Sequence, residues 1–111
     1  MGEGDIRWAP NLPFLNGKAL KAELTSMFQT EIMIENDAQT ALLGEVWMGN
    51  AFGKQSAVLF SIGTGVGGAI MLDGKILRGA SGSAGAFGWI NLDLHEAADP
   101  QHGYLERHAS G

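Results

Sequence analysis

The chain has 111 residues, a hydrophobic fraction of 45% and a formal net charge of −5 at pH 7, enough for one small domain with a core. The acidic balance and the lack of a basic run argue against nucleic acid or an anionic membrane as partner. The absence of cysteine excludes a disulfide framework and a thiolate metal site, and it is typical of a reducing cytoplasm. Because no signal-peptide pattern and no run of membrane-spanning length is present, we expect a cytoplasmic protein.

The first half of the chain predicts two helices with a strand between them. Proline and glycine punctuate residues 1–17, so we expect irregular structure there. Apolar residues at helical spacing predict a helix over residues 18–29, with Asn16 as a candidate cap. The short apolar run 31–34 predicts a strand, and residues 38–48 predict a second helix.

The segment SIGTGVGGAIMLDGK, residues 61–75, raises the question of a nucleotide-binding loop. Gly63, Gly65 and Gly68 give the pattern G-x-G-x-x-G, but the apolar run 69–72 indicates that a strand follows. A dinucleotide fingerprint requires a helix at that point, so this class is excluded. A Walker loop requires Ser or Thr after Gly-Lys, where this chain has Ile76.

A glycine-rich β-hairpin remains as the interpretation of this region. Apolar strand formers at residues 56–62 precede the glycines, and Asp73-Gly74 is a strong signal for a tight turn before a third strand at 75–78. The backbone N–H groups of such a hairpin could face a phosphate, or the hairpin could be purely structural. The element order β-α-β-β-β predicts an α/β fold.

Asp37 is the first candidate for chemistry, because it lies between the predicted strand and the second helix. It could cap the helix by accepting a backbone N–H. A carboxylate at the carboxyl end of a strand could instead act as a general base toward a hydroxyl.

The histidines and Trp89 are weaker candidates. Residues 95–99 read H-E-A-A-D, a variant of the zinc motif H-E-x-x-H, but the following proline argues against the helix that the motif needs. His102 and His108 are expected at the surface. Trp89 could pack or line a sugar pocket.

Two long motifs resemble the ROK family of repressors, open reading frames and sugar kinases. They are IENDAQTALLGE at residues 34–45 and SIGTGVGGAIMLDGKILRGASGSAG at residues 61–85. The segments APNLPFLNGKAL at 9–20 and GYLERHASG at 103–111 are also similar to the family. The resemblance implies a fragment of the actin-like ATPase (ribonuclease H-like) fold with a glycine-rich hairpin.

The resemblance also implies the roles of individual residues in an ATP-dependent phosphorylation of a hexose or N-acylhexosamine hydroxyl. Asp37 would be the catalytic base. ATP and Mg²⁺ would be the cofactors, and a small-molecule sugar the substrate. Asn11, Asn36 and Glu106 would bind the sugar, and Gly63, Thr64, Gly65 and Gly67 would bind the phosphates.

The chain departs from the family pattern after the hairpin. Where the family usually has G-E-I-G-H, this sequence has G-A-F-G-W, so Ala86 and Trp89 replace the glutamate and histidine that would contact a sugar. The zinc cysteines of the family are also absent, and Ala97, Asp99 and Tyr104 stand roughly in their places. We therefore expect no metal site and no zinc.

The resemblance covers only the middle of the family's fold. Residues 1–50 would form the end of an N-terminal lobe, and residues 51–111 the start of a C-terminal lobe. The first phosphate loop and the adenine-binding part have no counterpart, so we expect the isolated chain to be inactive and to associate as a homo-oligomer. The alternatives are the sugar-sensing part of a ROK repressor and a non-catalytic interaction module.

Overall fold

A computed structural model describes residues 5–7, 9, 11–93, 95–97 and 99–111. The chain divides into two compact units, residues 1–35 and 36–111. The lobe boundary expected at residues 50 and 51 refers to the parent fold and stays a prediction.

The first unit contains one helix and one short 3-10 turn in its described part. The turn covers Pro13–Leu15, and helix α1 covers Leu20–Phe28. The sequence suggests Asn16 as the cap of α1, but Asn16 does not have this role in the structure. Its Oδ1 accepts a hydrogen bond from the Ala9 N–H at 2.6 Å, and α1 begins without a side-chain cap.

The strand predicted at residues 31–34 is not formed. These residues carry no regular secondary structure. A strand needs a neighbouring strand for its backbone hydrogen bonds, and the described part of the first unit contains none. The prediction from local composition was therefore wrong at this position.

The second unit is built from helix α2, a three-stranded antiparallel sheet and a short helix α3. Helix α2 covers Asp37–Met48, and the strands are β1, Ala57–Ile62, β2, Val66–Leu72, and β3, Lys75–Ile76. The sheet order is β1-β2-β3, with both pairs antiparallel. Asp73 and Gly74 connect β2 to β3 with φ values of 50° and 73°, the left-handed pair that a tight type I′ turn requires.

The core of this unit lies between α2 and one face of the sheet. Ala38 and Leu42 of α2 pack against Ala69 and Met71 of β2, and all four are buried. Alternation along a strand places Leu59 on this face and Val58 on the other. Helix α2 thereby gains a fixed position on the strand pair that holds the glycine segment.

The segment after β3 returns to the sheet and ends in α3. A 3-10 turn at Phe87–Trp89 places the Phe87 ring on that of Phe60, with centroids 4.2 Å apart and planes inclined by 20°. Helix α3 covers Tyr104–Ala109. Among the described residues, no helix has the length and apolar character that crossing a membrane requires.

Candidate functional site

The start of α2 presents an exposed carboxylate beside a side-chain cap. Asn36 is the cap residue, and its Oδ1 accepts a hydrogen bond from the Gln39 N–H at 3.1 Å. Asp37 is the first helical residue, and its Oδ1 accepts from the Ala38 N–H at 2.8 Å. Asp37 is therefore not the helix cap that one sequence interpretation assigned to it, and its exposed side chain can meet a ligand.

The glycine segment forms a three-residue connection between β1 and β2. Ile62 pairs with Val66, so residues 63–65 make the turn. The Gly63 N–H donates to the Gly65 carbonyl at 2.9 Å, and the Gly63 carbonyl accepts from the Gly111 N–H at 2.8 Å. A Cβ added at Gly63 or Gly67 would meet no atom within 4 Å, so the backbone at both positions is open to a ligand.

Glu106 of α3 contacts the end of this turn. Its Oε2 accepts a hydrogen bond from the Val66 N–H at 3.0 Å, although the two residues are 40 positions apart. A Cβ at Gly65 would lie 2.7 Å from the same oxygen. The fold thus brings together two of the candidate positions, Gly65 and Glu106, within the second unit.

Close backbone packing fixes the segment that follows the sheet. A Cβ at Gly88 would lie 2.5 Å from the Val66 carbonyl oxygen, and one at Gly103 would overlap the Gly88 carbonyl. Ala86 and Trp89 flank this contact, and both are exposed. Neither side chain supplies the carboxylate or imidazole that the resemblance implies at these positions.

Polar contacts connect the loop 91–103 to α3. Arg107 donates to Glu96 Oε1 at 2.8 Å. The other carboxylate oxygen, Glu96 Oε2, lies 3.0 Å from His108 Nε2. Asp99 Oδ1 accepts from the backbone N–H groups of Gln101 at 2.7 Å and His102 at 3.2 Å. The bond from Gln101 is the main reason why the pKa of Asp99 lies below its ordinary value, and His102 adds to the effect.

This loop does not fit the zinc site that the resemblance places here. Ala97 has no ligand atom, Tyr104 replaces a thiolate by a phenol, and Asp99 Oδ1 already accepts two backbone N–H groups. In the described ranges, no three His, Cys, Asp or Glu side chains form a group that could hold a metal ion. The loop instead lines an open cavity of about 110 Å³ beside Trp89 and Arg107.

The remaining candidates are exposed side chains. Thr64 is exposed in the turn. Asn11 is exposed in the first unit, just before the turn at Pro13–Leu15. His95, His102 and His108 are all exposed, as expected for the last two.

Sequence reasoning missed the polar partners that organise α3. Glu96 and Arg107 are eleven residues apart and belong to different elements, so no helical spacing pairs them. The Val66 N–H is a backbone group and carries no signal in the sequence. Only the return of the chain to the sheet brings these groups into contact.

The chain matches the ROK family over residues 2–111. N-acetyl-D-glucosamine kinase of Escherichia coli O127:H6 is 32% identical to it, over 98% of this chain and 40% of that protein. The structure of a ROK family glucokinase from Streptomyces griseus with glucose and AMPPNP matches with a TM-score of 0.73 and 31% identity, over 82% of this chain and 29% of the kinase.

A regulator of the same family is equally similar in fold. A ROK family transcriptional regulator, a homologue of the E. coli MLC protein, matches with a TM-score of 0.73 and 31% identity, over 86% of this chain and 24% of the regulator. The chain spans between 22 and 40% of the length of curated relatives that it matches. These matches confirm the expected fold class: the chain is a mixed α/β fragment that corresponds to part of the actin-like ATPase fold of ROK kinases.

Proposed function

Because the chain belongs to the ROK family, we propose that it carries the base and one phosphate loop of an ATP-dependent sugar kinase. The observation that supports this most directly is the division of roles at the start of α2. Asn36 caps the helix, so Asp37 is left exposed at the helix N-terminus. A kinase of this type needs a carboxylate that takes the proton of the attacking hydroxyl.

The turn at residues 63–65 is the proposed site for ATP phosphates. Gly63 and Gly67 leave the backbone open to close approach, and Thr64 and Gly65 complete the proposed set. Backbone N–H groups of such a turn bind phosphate oxygens without a side chain in the way. Mg²⁺ bound with ATP would neutralise charge that develops on the transferred phosphoryl group.

The proposed substrate is a hexose or N-acylhexosamine. Within the second unit, Asn36 and Glu106 would bind its hydroxyls, and Asp37 would accept the proton of the hydroxyl that attacks the γ-phosphate. Two of the relatives named above are kinases of glucose and N-acetylglucosamine, which supports this substrate class. Ala86 and Trp89 stand where the resemblance implies a glutamate and a histidine. The hydrogen bonds of those two groups, each worth about 1 kcal/mol, would be lost, so we expect altered sugar preference.

The first experiment titrates the 111-residue chain with Mg-ATP and follows its amide signals by NMR. We expect shifts confined to residues 63–67 and a Kd of about 1 mM or weaker, because the chain spans at most 40% of the length of the relatives and few donors offset the ordering of a triphosphate. Shifts elsewhere, or none at the turn, would count against the proposed phosphate site.

We expect no ADP release with glucose, N-acetylglucosamine or N-acetylmannosamine, and turnover that D37N abolishes would contradict the expected inactivity.

The second experiment places residues 36–111 into the S. griseus glucokinase in exchange for the matching segment. In an active chimera, Asp37→Asn should lower kcat by about 10²–10⁴-fold with little change in the KM for the sugar. Asp73→Asn is the matched control, since it makes the same chemical change at an exposed turn. Equal activity of the D37N and control chimeras would rule out Asp37 as the base.

A second candidate is the sugar-sensing part of a ROK repressor. It is supported by Ala86 and Trp89, which replace polar sugar ligands, and by the match to a ROK regulator. A sensor has no chemical need for a base. Sugar-induced amide shifts without any Mg-ATP shift, unchanged in D37N, would favour this candidate over the kinase.

A further inference from the structure

Only one of the two carboxylate oxygens of Glu106 contacts the glycine turn. Oε2 accepts the Val66 N–H at 3.0 Å. Among the described residues, Oε1 has no hydrogen-bond partner. It is not among the buried polar atoms that lack a partner, so it is accessible. One oxygen therefore holds the backbone while the other stays open to a ligand.

The geometry at Gly65 makes this contact dependent on glycine. A Cβ at position 65 would lie 2.7 Å from Oε2 and 3.4 Å from the carboxylate carbon of Glu106. The carboxylate would have to move to admit it. At Gly67, two residues further along the chain, an added Cβ would have no neighbour within 4 Å.

The turn is also held from its other side by the chain that follows α3. The Gly111 N–H donates to the Gly63 carbonyl at 2.8 Å, while Gly63 itself donates to Gly65. The two ends of the turn are thereby fixed by groups within or directly after the α3 region. A displacement of Glu106 would be transmitted to residues 63–66.

We propose that Glu106 is a positioning residue that links the sugar to the phosphate loop. Its Oε2 fixes the Val66 end of the turn, and its Oε1 accepts a sugar hydroxyl, so the two binding events share one carboxylate. A sugar that orders Glu106 also orders residues 63–66. This inference rests on the proposed function for the sugar link, whereas the fixing of the turn rests on the contacts alone.

The test measures the hydrogen-exchange protection of the Val66 amide, corrected for intrinsic rates. Glu106→Ala should lower it about tenfold or more, because a charge-assisted hydrogen bond is lost. Glu106→Gln should keep it within about threefold, because the amide oxygen still accepts from Val66. Gly65→Ala keeps the carboxylate but displaces it, and it should lower Val66 protection as E106A does.

Arg107→Ala is the matched control on α3. The Arg107 guanidinium contacts Glu96 and the Ala97 carbonyl, and among the described residues it makes no hydrogen bond or ion pair with the turn. R107A should leave the protection of the Val66 amide unchanged. In every variant, the protection of the core amide of Ala69 should also stay unchanged. Unchanged Val66 protection in E106A would overturn the proposal. An equal loss in E106A, E106Q and R107A would overturn it too, because it would indicate general loosening of α3.

The sugar link has its own readout. Millimolar N-acetylglucosamine or glucose should raise Val66 protection more in the native chain than in E106Q, where a neutral amide NH₂ replaces the carboxylate oxygen that faces the sugar and the charge-assisted hydrogen bond is lost. An equal rise in both would overturn the link.

The two proposals fail in different ways. If Mg-ATP and sugar shift the loop amides while E106A leaves Val66 protected, the role of Glu106 is wrong and the proposed function stands. If E106A exposes Val66 but neither ligand shifts any amide of residues 36–111, the proposed function and the sugar link both fail. The fixing of the turn by Glu106 then remains.

Discussion

Two adjacent residues at the start of α2 have different partners, and this difference decides what each can do. Asn36 accepts the N–H of Gln39 and thereby satisfies one of the free donors of the helix. Among the described residues, the Asp37 carboxylate accepts only the N–H of the next residue along the chain, Ala38. An amide is well suited to capping, whereas a carboxylate can also take a proton.

We predict that Asn36→Ala lowers the free energy of unfolding by about 1 kcal/mol, because the Gln39 N–H loses its acceptor. Asn36→Asp should retain most of the stability, since aspartate caps equally well. Denaturant unfolding at neutral pH measures both. Equal stabilities for N36A and N36D would show that the cap does not stabilise α2.

We also predict a contrast between two neighbouring glycines of β2. A Cβ at Gly68 would overlap the Leu59 carbonyl and the Phe87 ring, whereas a Cβ at Gly67 would meet nothing within 4 Å. Gly68→Ala should therefore destabilise the fold by about 1–3 kcal/mol. Gly67→Ala should be neutral or stabilise by about 0.5–1 kcal/mol. The same unfolding measurement compares them, and a G68A variant as stable as G67A would contradict the packing described.

At the scale of elements, α3 organises its surroundings through side chains that point to two different partners. Glu106 contacts the turn between β1 and β2, while Arg107 and His108 contact Glu96 in the preceding loop. Asp99 closes that loop on itself. The loop is thus held by the Glu96–Arg107 ion pair and by side-chain and backbone hydrogen bonds at the place where the resemblance implies a metal.

The Asp99 turn should be sensitive to acid. Its pKa is lowered in the folded chain, first by the Gln101 N–H, so its stabilising effect is present above the unfolded value of about 3.9 and is lost as pH falls through the lower folded value. The Gln101 and His102 amide signals should therefore move on acidification below about pH 4. Asp99→Asn keeps an acceptor but does not titrate, so its amides should not show this transition. The same transition in D99N would assign it to another group.

We predict that the purified chain binds no structural zinc. The positions implied for ligands hold Ala97, Asp99 and Tyr104, and the chain has no cysteine. Elemental analysis after dialysis measures the zinc content per chain. One tightly held zinc per chain, lost together with fold stability on chelation, would contradict this.

At the scale of the whole molecule, one face of the sheet is covered by α2 and the other carries exposed apolar side chains. Val58, Phe60 and Ile62 of β1 are each more than half exposed. The chain also spans less than half the length of the relatives it matches. Exposed apolar surface of this kind favours association.

We therefore predict that the chain forms dimers or larger species at concentrations well above micromolar. Val58→Thr with Ile62→Thr should weaken association while keeping β-branched side chains in the strand. Met33→Thr, in an irregular segment, is the control and should have little effect. Sedimentation velocity measures all three proteins, and a monomeric native chain, or equal weakening by M33T, would contradict an interface on β1.

Some features of this protein were determined by the sequence alone, because they depend on neighbours along the chain. The helical spacing of apolar residues places α1 and α2 within two residues of their observed bounds. Asp73-Gly74 forms a turn with positive φ at both positions, since the required conformation is local. The two long motifs were sufficient to indicate the ROK family, which the match over residues 2–111 confirms.

Other features were decided only by the tertiary structure, because they depend on groups that are distant in the chain. Residues 31–34 have the composition of a strand, but the described part of their unit offers no strand to pair with. The hydrogen bond from Val66 to Glu106 joins a backbone N–H to a carboxylate 40 residues away. No local pattern encodes such a bond, because it exists only where the folded chain brings donor and acceptor within 3 Å.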